Sequence, residues 1–253
     1  MTLEIDNVGV RFGGLWANRD ISFSIPQGSI SAVIGPNGAG KTTLFNVISG
    51  FQVPTQGEVR LNGDVISGLP AEKIAAKGIG RTFQLPEICH DLTVLENVLV
   101  GAYRHISGGL LGQVIGLGSA AATEREARRR AEEDLVKAGL GDQLDLPAKT
   151  LPLGKVRLLE ITRALASRPS LLLLDESASG LNAREVEGLA ELIRKLPARG
   201  ITVVLIEHNV RFVMQMAEKI AVLDHGQLLS VGTPEQIRGD ERVITAYLGR
   251  RGH

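Results

Sequence analysis

The amino-acid sequence predicts an α/β fold: a mostly parallel sheet with an antiparallel β-subdomain, interrupted by an inserted helical sub-domain. Three observations carry the prediction. Short apolar runs of buried-strand length, Ile30–Ile34, Leu171–Leu174 and Ile201–Ile206, alternate with helical stretches, the pattern of a parallel sheet covered on both faces. A glycine-rich turn, Gly35 to Thr42, joins the first of these runs to a helix. Residues 91–169 read as helices instead, which marks them as a separate insertion.

Taken in order, Leu3-Glu4-Ile5 and Ile21–Ile25 alternate apolar and polar residues as half-buried strands do, and Pro26-Gln27-Gly28 marks a turn. Ile30–Ile34 enters the glycine-rich turn, and Thr42–Ser49 reads as a helix closed by Gly50. Glu58–Leu61 followed by Asn62-Gly63 is a hairpin signal. Leu95–Tyr103 and Thr123–Ala138 read as helices, the second laced with Glu124/Arg128 and Glu126/Arg130 pairs. Between them, residues 107–118 are apolar and rich in glycine, which suits a flexible surface insertion or a contact loop for a membrane partner. A helix is expected around 183–196, then a closing hairpin through Asp224–Gln227, then a helix opened by a capping box at Thr233-Pro234-Glu235-Gln236. The expected organisation is one domain over 1–253. Within it, 1–90 and 170–253 form the core and β-subdomain, and 91–169 the helical sub-domain.

Bulk composition narrows the function. At 253 residues and 43% hydrophobic, the chain has enough apolar surface for a full core. Lys plus Arg equals Asp plus Glu at 28 each. The basic surplus of a dedicated nucleic-acid binder is therefore missing, and no nucleic-acid partner is expected. Cys89 is the single cysteine, which rules out an internal disulfide framework and suits a reducing compartment. No apolar run approaches the ~20 residues that span a bilayer, and Met1–Asp6 lacks the features of a secretory signal. The expectation is a chain soluble by itself, linked to a membrane only through a partner.

Gly35-Pro36-Asn37-Gly38-Ala39-Gly40-Lys41-Thr42 fits G-x-x-x-x-G-K-[ST] between a strand and a helix, the context a phosphate-binding P-loop requires. Its glycines let backbone N–H groups converge on phosphate oxygens, and the helix N-terminus adds a favourable dipole. Lys41 reaches the β- and γ-phosphates as a point charge, and Thr42 is a candidate Mg²⁺ ligand. Leu171–Leu174 ends in Asp175-Glu176. A carboxylate at the end of an apolar strand lies at the sheet's carboxyl edge beside the P-loop, so Asp175 is the candidate to orient Mg²⁺. Glu176 is the candidate general base for attacking water. His208, after the strand run ending at Ile206, is a candidate to hydrogen-bond the γ-phosphate. Gln84 offers a neutral amide for Mg²⁺ and water. The sequence thus points to ATP and Mg²⁺.

These pieces, in this order and over essentially the whole chain, resemble the ATP-binding-cassette (ABC) family. Gly35–Thr42 and Thr43 resemble its Walker A loop, Gln84 its Q-loop, Leu171–Asp175 with Glu176 its Walker B strand and catalytic glutamate, and His208 its switch histidine. Leu151-Pro152-Leu153-Gly154-Lys155 stands where the family carries its signature segment, Ser179–Asn182 where it carries the D-loop, and Phe12 where an aromatic stacks on adenine. The signature keeps Gly154. Pro152 stands in place of a serine, Leu153 of a glycine and Lys155 of a glutamine, and Ser177 replaces the proline usual after the glutamate. A finer resemblance is to the ATPase subunits of branched-chain (hydrophobic) amino-acid importers. It is carried by Arg11–Leu15, Arg81-Thr82-Phe83-Gln84, Leu92–Val98, Ile206–Asn209 and Ala246–Gly249.

The resemblance implies a P-loop NTPase core of ABC type and a head-to-tail dimer. In that dimer each ATP lies between one chain's P-loop and the signature segment of a second ABC ATPase subunit, identical or related. It further implies two integral-membrane permease subunits, indirect work with a solute-binding protein, and a peripheral place at the cytoplasmic face of the plasma (inner) membrane. Two other readings stand beside it: a non-transport cassette ATPase of DNA repair or translation, and an importer of a related solute such as urea, amides or aromatic acids. The chain has one cassette, no sustained heptads and zero net charge, which favour transport.

Overall fold

Alternation along the first strands sets the first layer. On β1 (Leu3–Phe12) the side chains of Leu3, Ile5, Val8 and Val10 are buried, and on β2 (Leu15–Ile25) those of Ile21 and Ile25. The computed structural model of the chain describes residues 3–106 and 119–248; the insertion expected at 107–118 lies outside them. Its contacts divide the chain into two units, residues 1–81, 170–179 and 193–253 in one and 82–169 with 180–192 in the other.

In the first unit, β1 pairs antiparallel with β2 and with β4 (Gln56–Leu61), which turns into β5 (Asp64–Val65) to give the order β2-β1-β4-β5. Asn62 and Gly63 at that turn both have positive φ, 56° and 85°, the requirement that makes Asn-Gly a tight-hairpin pair. The second sheet joins β3 (Ile30–Ile34), β6 (Ile79–Arg81), β7 (Leu171–Asp175), β8 (Thr202–Ile206), β9 (Lys219–Asp224) and β10 (Gln227–Gly232). Its order is β10-β9-β3-β8-β7-β6, with every pair parallel except the closing hairpin of β9 and β10. Each residue of β3, β7 and β8 is buried, which is why these strands read as unbroken apolar runs.

Helix α1 (Lys41–Ile48) lies in the same core. Its Leu44, Phe45, Val47 and Ile48 join Val33, Leu173, Val204 and Ile206 of the parallel sheet and Leu3, Ile5 and Ile21 of the antiparallel one. Burial of such side chains contributes roughly 1.5–3 kcal/mol each. The unit also contains α2 (Ala71–Ala76), α7 (Val210–Met216), α8 (Pro234–Gly239) and α9 (Glu241–Leu248). Helix α8 opens with the expected capping box: Thr233 accepts from the Gln236 amide while the Gln236 side chain accepts from the Thr233 amide, with Pro234 in the first turn.

In the second unit, α3 (Val94–Ile106), α4 (Ser119–Lys137) and α5 (Leu153–Ala166) enclose Val94, Leu95, Val98, Ala131, Leu135 and Leu159. Helix α6 (Ala183–Arg194) begins in this unit and ends in the first. Thr93 and Glu96 cap α3 reciprocally, at 3.1 and 2.7 Å. Of the two ion pairs expected on α4, Glu126 does meet Arg130, and it meets Arg129 as well. Arg128 turns forward to Glu132 at 3.0 Å rather than back to Glu124, the orientation of an exposed pair being weakly determined.

Candidate functional site

The chain leaves β3 at a fully buried strand end and turns into α1 through residues 35–40, and glycine makes that geometry possible. A Cβ on Gly35 would lie 2.2 Å from the Leu223 carbonyl oxygen. Gly40 has φ 92°, and a Cβ there would lie 2.3 Å from Asn18 Nδ2 and 2.4 Å from the Ala17 carbonyl oxygen. Asn18, itself buried, donates to the Gly40 carbonyl at 3.1 Å. Inside the loop Ala39 is buried and donates its N–H to Pro36, while Asn37 and Gly38 are exposed.

Helix α1 starts at Lys41 behind an N-cap, Gly40, that has no side chain to accept a hydrogen bond. Its first-turn amides, those of Lys41, Thr42 and Thr43, have no acceptor within the helix, so an anion is the natural cap. Thr42 is exposed and Thr43 half-buried. Lys41 is buried, and its Nζ donates to the carbonyls of Gly35 and Pro36, both at 2.9 Å. Burial pulls its ammonium pKa below the usual value, and the charges of Glu176 and Asp175 oppose that shift.

The acidic residues arrive at the same edge by register. Parallel pairing sets Val33 of β3 and Asp175 of β7 opposite Ile206 of β8, so the residues following all three strands gather at one carboxyl edge. Asp175 is 2% exposed, and burial pushes its carboxyl upward against the pull of Arg81. Glu176 adopts φ 51°, left-handed for a non-glycine residue. Such strain costs on the order of 1 kcal/mol and is held where the surroundings fix it. Here the Glu176 amide donates to Ile206 O at 2.8 Å, and its Oε1 is hydrogen-bonded to His208 Nε2 at 2.5 Å. Asn209 then caps α7 by accepting from the Phe212 amide. His208, Glu176, Asp175 and Lys41 are thus neighbours, as the sequence leads one to expect. Phe12 is 54% exposed at the end of β1 in the same unit.

Three residues of this site were not singled out in the sequence. Arg81, at the end of β6, pairs with Asp175 Oδ2 at 3.2 Å, donates to Asn46 Oδ1 and Ser49 Oγ at 2.7 Å each, and lies over the rings of Phe45 and Phe51. Buried Glu207 accepts the Ala178 amide at 2.9 Å, fixing the turn after Glu176. Asn18 is the third. A buried charge at a strand end has no periodicity to betray it; only its place beside a motif offers a signal. Replacing Arg81 with Met leaves Asp175 buried without this partner. The expected loss is about 3–5 kcal/mol of unfolding free energy in a denaturant titration. A loss below about 1 kcal/mol would remove the ion pair from this account.

The remaining candidates belong to the second unit. Gln84 is exposed, and its carbonyl accepts from Arg157 at 2.8 Å. Pro152 is the exposed N-cap of α5 and makes no side-chain capping bond; Leu151 is buried, Leu153 exposed and Lys155 half-buried. Gly154 is close-packed, since a Cβ there would lie 2.4 Å from Glu185 Oε1. This segment opens α5, whose N-cap offers its first-turn amides no side-chain acceptor. Among the described residues no group of three or more His, Cys, Asp or Glu side chains is placed to hold a metal. Mg²⁺ does not require one, because it keeps several waters and takes one or two protein oxygens plus phosphates. Within the first unit, the hydroxyl of Thr42 and the carboxylate of Asp175 are hard donors of the kind that suit it. Among the described residues, no helix is long and apolar enough to cross a membrane.

Comparison with known proteins agrees with this geometry. The profile described as ABC transporter matches residues 18–179, and that described as branched-chain amino acid ATP-binding cassette transporter matches residues 227–253. The high-affinity branched-chain amino acid transport ATP-binding protein BraF of Pseudomonas aeruginosa is 43% identical over 98% of this chain and 97% of its own length. A nucleotide-free ATP-binding cassette from an ABC transporter superposes with a TM-score of 0.85 at 30% identity, covering 98% of this chain and all of that one. A dimeric cassette in a post-hydrolysis state with ADP and Pi superposes at 0.78 and 26% identity, covering 92% of this chain and 98% of that one. The chain belongs to the ABC transporter family, as an ATP-hydrolysing cassette subunit.

Proposed function

We propose that this chain energises an importer of branched-chain or closely related amino acids. In this reading it forms a nucleotide-sandwich dimer with a second cassette and drives two membrane permease subunits from their cytoplasmic side. The observation that carries the reading is the cluster at the carboxyl edge of β3, β8 and β7, where Lys41, Asp175, Glu176 and the paired His208 meet. The cargo is supported by the match at residues 227–253 and by BraF.

Each residue's task follows from its chemistry. The amides of Gly38–Thr42 bind phosphate oxygens, and Lys41 exchanges its two carbonyl partners for phosphate. Mg²⁺, when bound by Thr42, Asp175 and Gln84, neutralises phosphate charge. Glu176 accepts the proton of the attacking water, and His208, 43% exposed at its side chain, swings between Glu176 and the γ-phosphate. Phe12 stacks on adenine. The amides opening α5 face the other chain's ATP, a task for which Pro152 and Leu153 provide no side-chain donor and Lys155 provides charge. ATP favours the closed dimer because only that state offers both half-sites at once. Within this reading, 91–169 is the inserted helical sub-domain, and the permeases meet the chain near Gln84 and that sub-domain.

Uptake of labelled leucine by cells lacking this chain tests the reading. Uptake should be lost on deletion, restored by the wild-type chain and not restored by Glu176→Gln. Unchanged uptake after deletion would leave a different solute or a non-transport task.

A further inference from the structure

Two charged side chains on α5 are buried where the mechanism above gives them no task. Arg157 is 5% and Glu160 2% exposed, and they face each other at 3.6 Å. A buried ion pair is costly to desolvate and persists only where further hydrogen bonds compensate it. Here those bonds converge on one short segment. Arg157 donates from Nη1 to the Phe83 carbonyl at 3.2 Å and from Nη2 to the Gln84 carbonyl at 2.8 Å. Glu160 accepts the Phe83 amide at 3.0 Å and the Glu87 amide as well.

The partners are all main-chain groups. A packing contact would seat side chains of this segment on α5, whereas these bonds fix the backbone that carries Gln84 and leave its side chain exposed. The planar fork of a guanidinium suits two successive carbonyls in a way that a lysine ammonium does not. Because α5 is a rigid helix, the segment and the helix are tied into one body.

We propose that Arg157 and Glu160 are positioning residues that clasp the Gln84 segment to α5, so that Gln84 reaches the metal and the attacking water in step with the helix that Leu151–Lys155 opens. The proposal rests on the assignment of Gln84 to Mg²⁺ made above.

The test uses the full chain carrying Glu176→Gln, in which hydrolysis is suppressed, and measures ATP affinity with Mg²⁺ and with EDTA. The ratio of the two affinities reports the metal's contribution, which general loss of stability does not change. Gln84→Ala should lower the ratio about 10-fold, the scale seen when a group supporting a metal is removed. Arg157→Gln should lower it as far, and the double variant no further, because the two act through one contact. Should Arg157→Gln fail to fold, Arg157→Lys, which keeps the charge but not the fork, should give an intermediate ratio. A reduced ratio in Gln84→Ala with a wild-type ratio in the Arg157 variants overturns the clasp alone, as does an additive double variant. An unchanged ratio in Gln84→Ala overturns the assignment of Gln84, and the clasp's purpose with it.

Discussion

Replacing Glu176 with Gln should lower steady-state phosphate release by about 10²–10⁴-fold while ATP affinity stays at the wild-type level. The substitution is close to isosteric. Gln at this position keeps the φ of 51°, keeps the amide bond to Ile206 O, and still offers an oxygen to His208 Nε2. What it removes is the capacity to take a proton from water. The phosphate-binding groups, on Gly35–Thr42, follow a different strand and keep their positions, with only the charge beside Lys41 changed. A coupled phosphate assay and an equilibrium binding titration separate the two effects. Turnover within a few-fold of wild type would mean that another group is the base.

Lys41→Ala should act in the opposite sense, reducing ATP affinity about 10–100-fold, the loss expected for charge-assisted hydrogen bonds to phosphate. The lysine is held ready. It is buried, and its Nζ already rests on the Gly35 and Pro36 carbonyls, so binding exchanges two neutral acceptors for charged ones without first ordering a free side chain. Removing it also takes this donor from the Gly35 carbonyl, at a cost of about 1–3 kcal/mol in stability, while the Pro36 carbonyl keeps the Ala39 amide. Circular dichroism must therefore accompany the titration with a fluorescent ATP analogue. Wild-type affinity in a folded variant would show that the amides alone carry phosphate binding.

Much of this was legible in the sequence, for physical reasons. Strands β3, β7 and β8 are buried on both faces and so appear as continuous apolar runs. The hairpin turns at Asn62-Gly63 and His225-Gly226 show themselves through residues that tolerate positive φ, and the P-loop through glycines that no other residue replaces at these close approaches. Other features leave no such trace. The grip of Arg81 on Asp175 joins residues 94 positions apart, and no local pattern encodes a partner that far away. The same holds for Asn18 beneath Gly40 and for Arg157 and Glu160 beneath the Gln84 segment. On α4 the helix and the Glu126–Arg130 pair were legible but the partner of Arg128 was not, since Arg128 had acceptors one turn away on either side and took Glu132.

The central claim, that ATP is held by the P-loop and cleaved with Glu176 as base, is tested most directly by the crystal structure of Glu176→Gln with Mg²⁺ and ATP. The account predicts Lys41 Nζ released from Gly35 O and Pro36 O and bound to the β- and γ-phosphates. It further predicts Asp175 facing the metal and an ordered water between the introduced glutamine side chain and the γ-phosphorus. Nucleotide bound elsewhere, or Lys41 still seated on its two carbonyls beneath bound ATP, would contradict it.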